Sequence, residues 1–160
     1  MQVKIKKLKP TAKIPEYAKF GDAGMDVYCT DFFFDDFYIQ YNTGLAFEIP
    51  FGYVGMLFPR SSTTAKDLIL GNCVGLLDSG YRGELSFRYK AIHEKEMTYE
   101  WAYNQAVIPI DKSLFKGGIY GVGDKIGQIM IMPYPSIEFV ESENLSESER
   151  GANGYGSTGK

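Results

Sequence analysis

The sequence predicts an all-β domain of the sandwich or jelly-roll class. Its 160 residues suffice for one domain with a hydrophobic core and are too few for two. The 18 glycines, 12 tyrosines and 11 phenylalanines favour short strands joined by many turns. Alternating and apolar segments recur along the chain, and hardly any stretch has the pattern of a helix. Together these observations indicate packed antiparallel sheets.

The first half of the chain contains several predicted strands. Val3 and Ile5 alternate with lysines, which is typical of an edge strand with one charged face. Further strands are predicted after the small-residue turn at 21–24 and at residues 38–41, 45–49 and 53–58. The polar residues 60–66 predict one short helix with a hydroxyl residue as its N-cap.

A β-hairpin is predicted around Asp78-Ser79-Gly80. Residues 74–77 form an apolar strand, the three following residues have turn chemistry, and residues 81–85 begin a return strand that continues to residue 90. Because turn aspartates are common, an ordinary surface hairpin also explains this segment on its own. Two later strands are predicted at residues 125–132 and 137–140.

The last twenty residues form a predicted mobile tail. Residues 141–160 are almost all Ser, Glu, Asn and Gly, and such a composition does not bury enough surface to offset its ordering entropy. The expected organisation is therefore one domain over residues 1–140 and a flexible tail over 141–160. The pattern between residues 91 and 120 is less regular and includes the aromatic cluster Tyr99, Trp101 and Tyr103.

Charge and cysteine content exclude several functional classes. The net charge of −3 provides no global basic field for nucleic acid. No apolar run approaches the length of a membrane span, so no membrane association is expected. Cys29 and Cys73 lie in apolar, strand-like segments without a secretory leader, which favours buried thiols in a reducing compartment. The expected location is the cytoplasm.

Three polar segments have the chemistry of anion-binding sites. Residues 59–62 place a guanidinium and hydroxyls between a strand and a helix N-terminus. Gln128 is an amide within an apolar strand and needs a structural or ligand partner. Residues 150–159 combine a cation, a ring, two hydroxyls and four glycines, which could close over a nucleotide. Taken singly, such segments are more often a strand end, a structural amide or an inert terminus.

Five segments in order resemble the five motifs of the trimeric deoxyuridine triphosphatases. They are Ala23–Val27, Pro59–Ser62, Gly71–Gly83, Gly123–Gln128 and Arg150–Gly159. The resemblance spans nearly the whole chain, and the third and fifth segments are its most specific parts. It implies a jelly-roll-like domain that forms homotrimers, with active sites between subunits and a tail that closes over a neighbour's nucleotide.

The resemblance also implies an activity and a set of site residues. The activity is dUTP diphosphatase, which yields dUMP and diphosphate by water attack on the α-phosphorus. Asp78 would be the catalytic base, and Tyr81 would pack under the deoxyribose and reject UTP. The uracil edge would be read by Asn72 and the backbone around Gly75.

The remaining implied contacts concern phosphates, stacking and metal. Asp26 would hold Mg²⁺ through its water shell, which suits a cation that dehydrates reluctantly. Tyr155 would stack on the uracil within the glycine-rich loop that includes Gly156. The residues implied to hold phosphate oxygens are Arg60, Ser61, Ser62, Gln128, Arg150, Ser157 and Thr158.

Some features depart from the family pattern and leave alternatives open. Tyr155 stands where many members have Phe, Ser62 replaces a frequent Gly, and the segment near residues 91–120 is longer than in compact members. This insert could be an extra hairpin on its own domain or a patch for a regulatory protein partner. A nucleotide-gated regulator is therefore one alternative function. A dCTP deaminase of the same fold is another, although Tyr81 at the turn argues against it.

Overall fold

The computed structural model describes residues 1–35, 37–92 and 118–153. A short 3-10 helix covers Ser61–Ala65. The strands within these ranges are β1 (Lys4–Lys7), β2 (Met25–Tyr28), β3 (Asp31–Phe34), β4 (Ile39–Asn42), β5 (Leu45–Glu48), β6 (Tyr53–Phe58), β7 (Leu68–Leu70), β8 (Gly75–Leu77), β9 (Ser86–Ala91) and β10 (Lys125–Pro133). No helix in this part of the chain is long and apolar enough to cross a membrane.

The strands form two four-stranded sheets and one two-stranded ribbon. The first sheet has the order β2-β10-β6-β8, the second has the order β3-β4-β9-β7, and the ribbon pairs β1 with β5. Every pairing between these strands is antiparallel. The predicted all-β, jelly-roll-like class is confirmed.

One hydrophobic core joins the inner faces of the two sheets. Its largest fully buried side chains include Tyr41, Phe87 and Tyr89 from the second sheet and Ile126 and Ile129 from the first. Burial raises the pKa of both tyrosines. Their hydroxyls are nevertheless paired, because the Tyr89 hydroxyl donates to the Ile126 carbonyl at 2.6 Å and the Tyr41 oxygen accepts from a backbone amide at 3.3 Å. The core is therefore apolar without unpaired hydroxyls at these positions.

Most predicted strands are confirmed, with short or unpaired segments as the exceptions. The strand at 53–58 has the predicted bounds, whereas the three- and four-residue strands β7 and β3 were not predicted. The expected strand at 137–140 is wrong for the isolated chain, where Ile137 and Phe139 are 66% and 92% exposed. A strand needs a hydrogen-bonded neighbour, and none of the described strands pairs with these residues.

The predicted hairpin around Asp78 is instead a connection between the two sheets. β8 pairs with β6, whereas β9 pairs with β4 and β7, so the strands before and after the turn belong to different sheets. The turn itself is present, since the Tyr81 amide donates to the Asp78 carbonyl at 3.1 Å. The expected return strand begins only at Ser86.

Two smaller expectations are also corrected. The N-cap of the 3-10 helix is Arg60, without a side-chain capping bond, rather than a hydroxyl residue. Of the two cysteines that were expected to be buried, only Cys29 is, and this burial raises the pKa of its thiol to about 12. Cys73 is exposed in the β7–β8 connection with a positive φ of 59°, because the chain turns there between two short strands.

Candidate active site

A nearly buried carboxylate lies at the centre of the first polar cluster. Asp26, on β2, is 6% exposed. It accepts hydrogen bonds from Arg60 Nε at 2.8 Å, Lys125 Nζ at 2.7 Å and Gln128 Nε2 at 3.3 Å. Gln128 is the direct cross-strand neighbour of Asp26, and Arg60 follows β6, which pairs with β10 on its other side. Adjacent strands therefore bring residues that are distant in sequence to one carboxylate.

The cations around Asp26 determine its charge state. Burial alone would raise the pKa of Asp26, but hydrogen bonds from Lys125 and Arg60 outweigh this effect and hold the pKa below its usual range. The hydrogen bond from Lys125 to Asp26 likewise raises the pKa of Lys125. Two cations thus share one anion, and the cluster carries an excess positive charge that favours an anionic ligand.

Two exposed hydroxyl residues extend this cluster. Ser61 and Ser62 begin the 3-10 helix and are exposed, and Arg60 Nη1 donates to the Ser62 hydroxyl at 3.2 Å. The helix is fixed to the core through Thr63, whose buried hydroxyl pairs with the Tyr120 hydroxyl at 2.7 Å. The Ser61 and Ser62 hydroxyls are consequently presented to solvent from a fixed backbone beside Arg60.

A second set of predicted residues lies around β8. Asn72 and Gly75 line a cavity of about 330 Å³ together with residues of β6, β7 and β9. A Cβ on Gly75 would lie 3.0 Å from the Leu57 side chain and 3.3 Å from Asn72 Nδ2, so a larger residue would crowd this cavity. Neither Asp78 nor Tyr81 is among the described residues that line it.

Asp78 and Tyr81 lie at the other end of β8, on the connection between the sheets. Both side chains are exposed. The Tyr81 hydroxyl donates to the Glu84 carbonyl at 3.1 Å. Arg82 braces the turn through bonds from Nη1 to the carbonyl oxygens of Ser79 at 2.6 Å and Tyr81 at 2.8 Å. The carboxylate of Asp78 is thereby carried by a well-bonded turn.

Within one chain the Asp26 cluster and the residues around β8 are not bonded to each other, although both lie on the first sheet, where Leu57 pairs with Gly75 on one side and with Ile129 on the other. No hydrogen bond or ion pair among the described residues joins the Asp26 cluster to Asn72, Asp78 or Tyr81. Arg150 lies in an exposed segment, where its Nε donates to the Asn153 carbonyl at 3.0 Å. Several predictions fall on residues outside the described ranges, namely the aromatic insert residues Tyr99, Trp101 and Tyr103 and the tail residues Tyr155, Gly156, Ser157 and Thr158.

Sequence reasoning missed the role of Lys125 in the Asp26 cluster. The lysine lies within the motif Gly123–Gln128, but only its glutamine was assigned a contact. The available signal was a cation at the start of an otherwise apolar strand. Such a residue at a strand end can reach a carboxylate on the neighbouring strand.

The fold and these clusters define a small β-domain with a cationic surface cluster around Asp26 whose charge favours an anionic ligand. A family model described as dUTPase matches residues 10–103. The chain is 36% identical to a deoxyuridine 5'-triphosphate nucleotidohydrolase of Nautilia profundicola, with 100% of each chain covered. It is 31% identical to the enzyme of the same name from a Hydrogenobaculum species, with 99% of each covered. The chain belongs to the dUTPase family.

A solved structure supports the same assignment. The dUTPase of Staphylococcus bacteriophage 80alpha with dUPNHPP has a TM-score of 0.78 and 30% identity, with 99% of each chain covered. The similarity therefore extends over nearly the whole length of both chains.

Proposed function

We propose that this protein is a dUTP diphosphatase, which hydrolyses dUTP to dUMP and diphosphate. The observation that carries the proposal is similarity over the full chain to deoxyuridine 5'-triphosphate nucleotidohydrolases, at 31% and 36% identity. The similar phage dUTPase is described with the ligand dUPNHPP, a triphosphate analogue of the proposed substrate. The polyanionic character of such a ligand agrees with the excess positive charge around Asp26.

In this proposal the phosphates lie against the Asp26 cluster. Arg60 and the Ser61 and Ser62 hydroxyls hold phosphate oxygens, and the Gln128 amide supplies a further donor. The Asp26 carboxylate keeps the guanidinium of Arg60 in place, since Nε is the donor and the Nη groups extend beyond it. Charge neutralisation and positioning are the main contributions that a protein makes to phosphoryl chemistry.

The nucleoside and the attacking water are assigned to the residues around β8. Asn72 and the backbone at Gly75 read the uracil edge, and Tyr81 packs under the deoxyribose so that a 2′-hydroxyl has no room. Asp78 orients and deprotonates the water that attacks the α-phosphorus. Its exposed position on a braced turn supports this role, because a general base must reach the water that it activates.

The active unit in this proposal is a homotrimer. The Asp26 cluster and the residues around β8 share no hydrogen bond or ion pair within one chain, and in this proposal different subunits contribute them to one site. Ile137, Phe139 and Val140 are each at least 66% exposed in the isolated chain, and an adjacent subunit would bury such an apolar segment. Residues 1–140 form the proposed domain. Residues 141–160 form the tail, whose Arg150, Ser157 and Thr158 grip phosphates while Tyr155 stacks on the base beside Gly156.

The chain's residues fit Mg²⁺ bound through water. No group of three or more potential metal ligands occurs among the described residues. The Asp26 carboxylate already accepts three hydrogen bonds and is nearly buried, so it fits a metal's water shell better than direct coordination. When bound, Mg²⁺ would neutralise charge on the triphosphate. We place the enzyme in the cytoplasm, where the exposed Cys73 thiol would stay reduced.

A substrate panel tests the proposed function. The protein is incubated with dUTP, dTTP, dCTP and UTP in the presence of Mg²⁺, and diphosphate and ammonia are measured. We expect diphosphate from dUTP alone. Ammonia from dCTP would support the deaminase alternative, and absence of diphosphate from dUTP would reject the proposal.

A regulatory role is the second candidate function. The 80alpha protein belongs to a group of phage dUTPases described as controlling transfer of virulence genes by a G protein-like mechanism. In this role the chain would be a nucleotide-gated regulator, and its insert near residues 91–120, which includes Tyr99, Trp101 and Tyr103, would contact a protein partner. Removing the insert should retain dUTP hydrolysis and abolish partner binding, whereas unchanged partner binding would contradict the role.

A further inference from the structure

The ring of Tyr81 lies directly on the backbone of Gly83. A Cβ atom placed on Gly83 would be 2.3 Å from the Tyr81 hydroxyl oxygen, 2.5 Å from Cζ and 3.0 Å from Cε2. Real Cβ contacts of this length do not occur, so either the ring or the backbone would have to move. The tyrosine can therefore adopt this position only above a glycine.

The atoms that hold the far end of the ring are themselves fixed. The Tyr81 hydroxyl donates to the Glu84 carbonyl at 3.1 Å, and the Glu84 carboxylate accepts from the Gly44 amide at 2.7 Å. The next residue, Leu85, is buried and bonds through its amide to the Leu45 carbonyl at 2.8 Å. The ring thus rests on a segment that is attached to the β4–β5 turn.

Tyr81 is 47% exposed even though its ring is anchored in this way. It contacts Gly83 and retains an exposed surface that a sugar could cover. We propose that Gly83 is a positioning residue for sugar discrimination, which holds the Tyr81 ring where it leaves no space for a 2′-hydroxyl. This inference rests on the proposed dUTP diphosphatase function and adds to it a residue that touches no substrate itself.

The test compares Gly83→Ala with Gly80→Ala in the same turn. A Cβ on Gly80 would meet no atom within 4 Å, so Gly80→Ala makes the same chemical change without the clash. The measured quantity is the ratio of kcat/KM for dUTP to kcat/KM for UTP. We expect Gly83→Ala to lower this ratio by about tenfold or more, since small displacements in a site have large kinetic effects. Gly80→Ala should leave it unchanged.

The Tyr81→Ala background shows whether the effect acts through the ring. Gly83→Ala should cause no further fall in the ratio there, because the ring has been removed. An unchanged ratio in Gly83→Ala, or an equal fall in both backgrounds, would overturn the inference. Lack of dUTP hydrolysis by the unaltered protein would instead overturn the proposed function, and the inference with it.

Thermal unfolding covers the case in which Gly83→Ala folds poorly. The clash predicts a lower Tm for Gly83→Ala in the natural background and no change when Tyr81→Ala is also present. Folding of the double variant where Gly83→Ala alone fails would likewise support the contact. The inference would be overturned if Gly83→Ala lowered Tm equally with and without Tyr81→Ala, or if neither the single nor the double variant folded.

Discussion

Gln128 and Lys125 reach the same carboxylate although they are three residues apart on one strand. In a regular strand such residues point to opposite faces. The β2–β10 ladder contains a register shift between Lys125 and Gly127, and a bulge of this kind changes which face the following residues occupy. Lys125 Nζ therefore lies 2.7 Å from one carboxylate oxygen of Asp26, and Gln128 Nε2 lies 3.3 Å from the other.

Asp26→Asn should destabilise the protein in a pH-dependent manner. The pKa of Asp26 is lowered below its usual value of 3.8, so its ion pairs stabilise the folded state at higher pH and are lost as pH falls through the folded-state pKa. We expect the variant to be less stable by about 1–3 kcal/mol at pH 7, as for hydrogen bonds to charged groups. Urea unfolding at pH 7, 5 and 3 measures the free energy of unfolding of both proteins. The difference between Asp26→Asn and the unaltered protein should be smaller at pH 3 than at pH 7.

Glu16→Gln is the control for this experiment, since Glu16 is exposed. It should not change the free energy of unfolding at any of these pH values. A difference between Asp26→Asn and the unaltered protein that stays constant from pH 7 to pH 3 would contradict the assigned ion pairs.

Asp78→Asn should greatly reduce turnover while binding persists. The substitution preserves size and removes only the proposed base, so kcat should fall by about 10²–10⁴-fold. Affinity for a non-hydrolysable dUTP analogue, measured by calorimetry, should stay within a few-fold of the natural value. A comparable loss of affinity would show that Asp78 is mainly a binding group.

Removal of residues 150–160 should leave a folded, trimeric and nearly inactive protein. The described part of this segment is exposed and is not part of the core, so its loss should not alter Tm. Light scattering and dUTP hydrolysis test the two expectations. Lys160 lies beyond the fifth motif, so deletion of Lys160 alone is the control and should have no effect. Normal turnover by the protein without residues 150–160 would reject the tail assignment.

Gly127→Ala should destabilise the domain through a clash with the core. A Cβ at this position would lie 2.2 Å from Phe87 Cε1, and overpacking of this kind costs about 1–3 kcal/mol. The double variant with Gly127→Ala and Phe87→Leu should lose less free energy of unfolding than the sum of the losses in the two single variants. Urea unfolding of the three variants measures this coupling, and simple additivity would contradict the close contact.

The success of strand prediction depended on the length of each segment. β6 and β10 show sustained apolar or alternating patterns over six and nine residues, and both were predicted. β7 has only three residues, and its pairing with β9 becomes evident only from the register. The prediction of a hairpin around Asp78 is wrong because periodicity indicates strands but does not reveal which strands pair.

The order of motifs in the sequence was sufficient to indicate the family and its chemistry. The short-range patterns also determined the all-β class, since alternation and turn residues act within a few positions. Three relationships were decided only by the tertiary structure. Asp78 lies on the connection from one sheet to the other, and Lys125 and Arg60 both form ion pairs with Asp26. The Tyr81 ring lies against the backbone of Gly83. The first two relationships depend on which strands pair and in which register, and the third depends on close atomic contact within a turn. A local sequence pattern does not specify strand pairing, register or close packing.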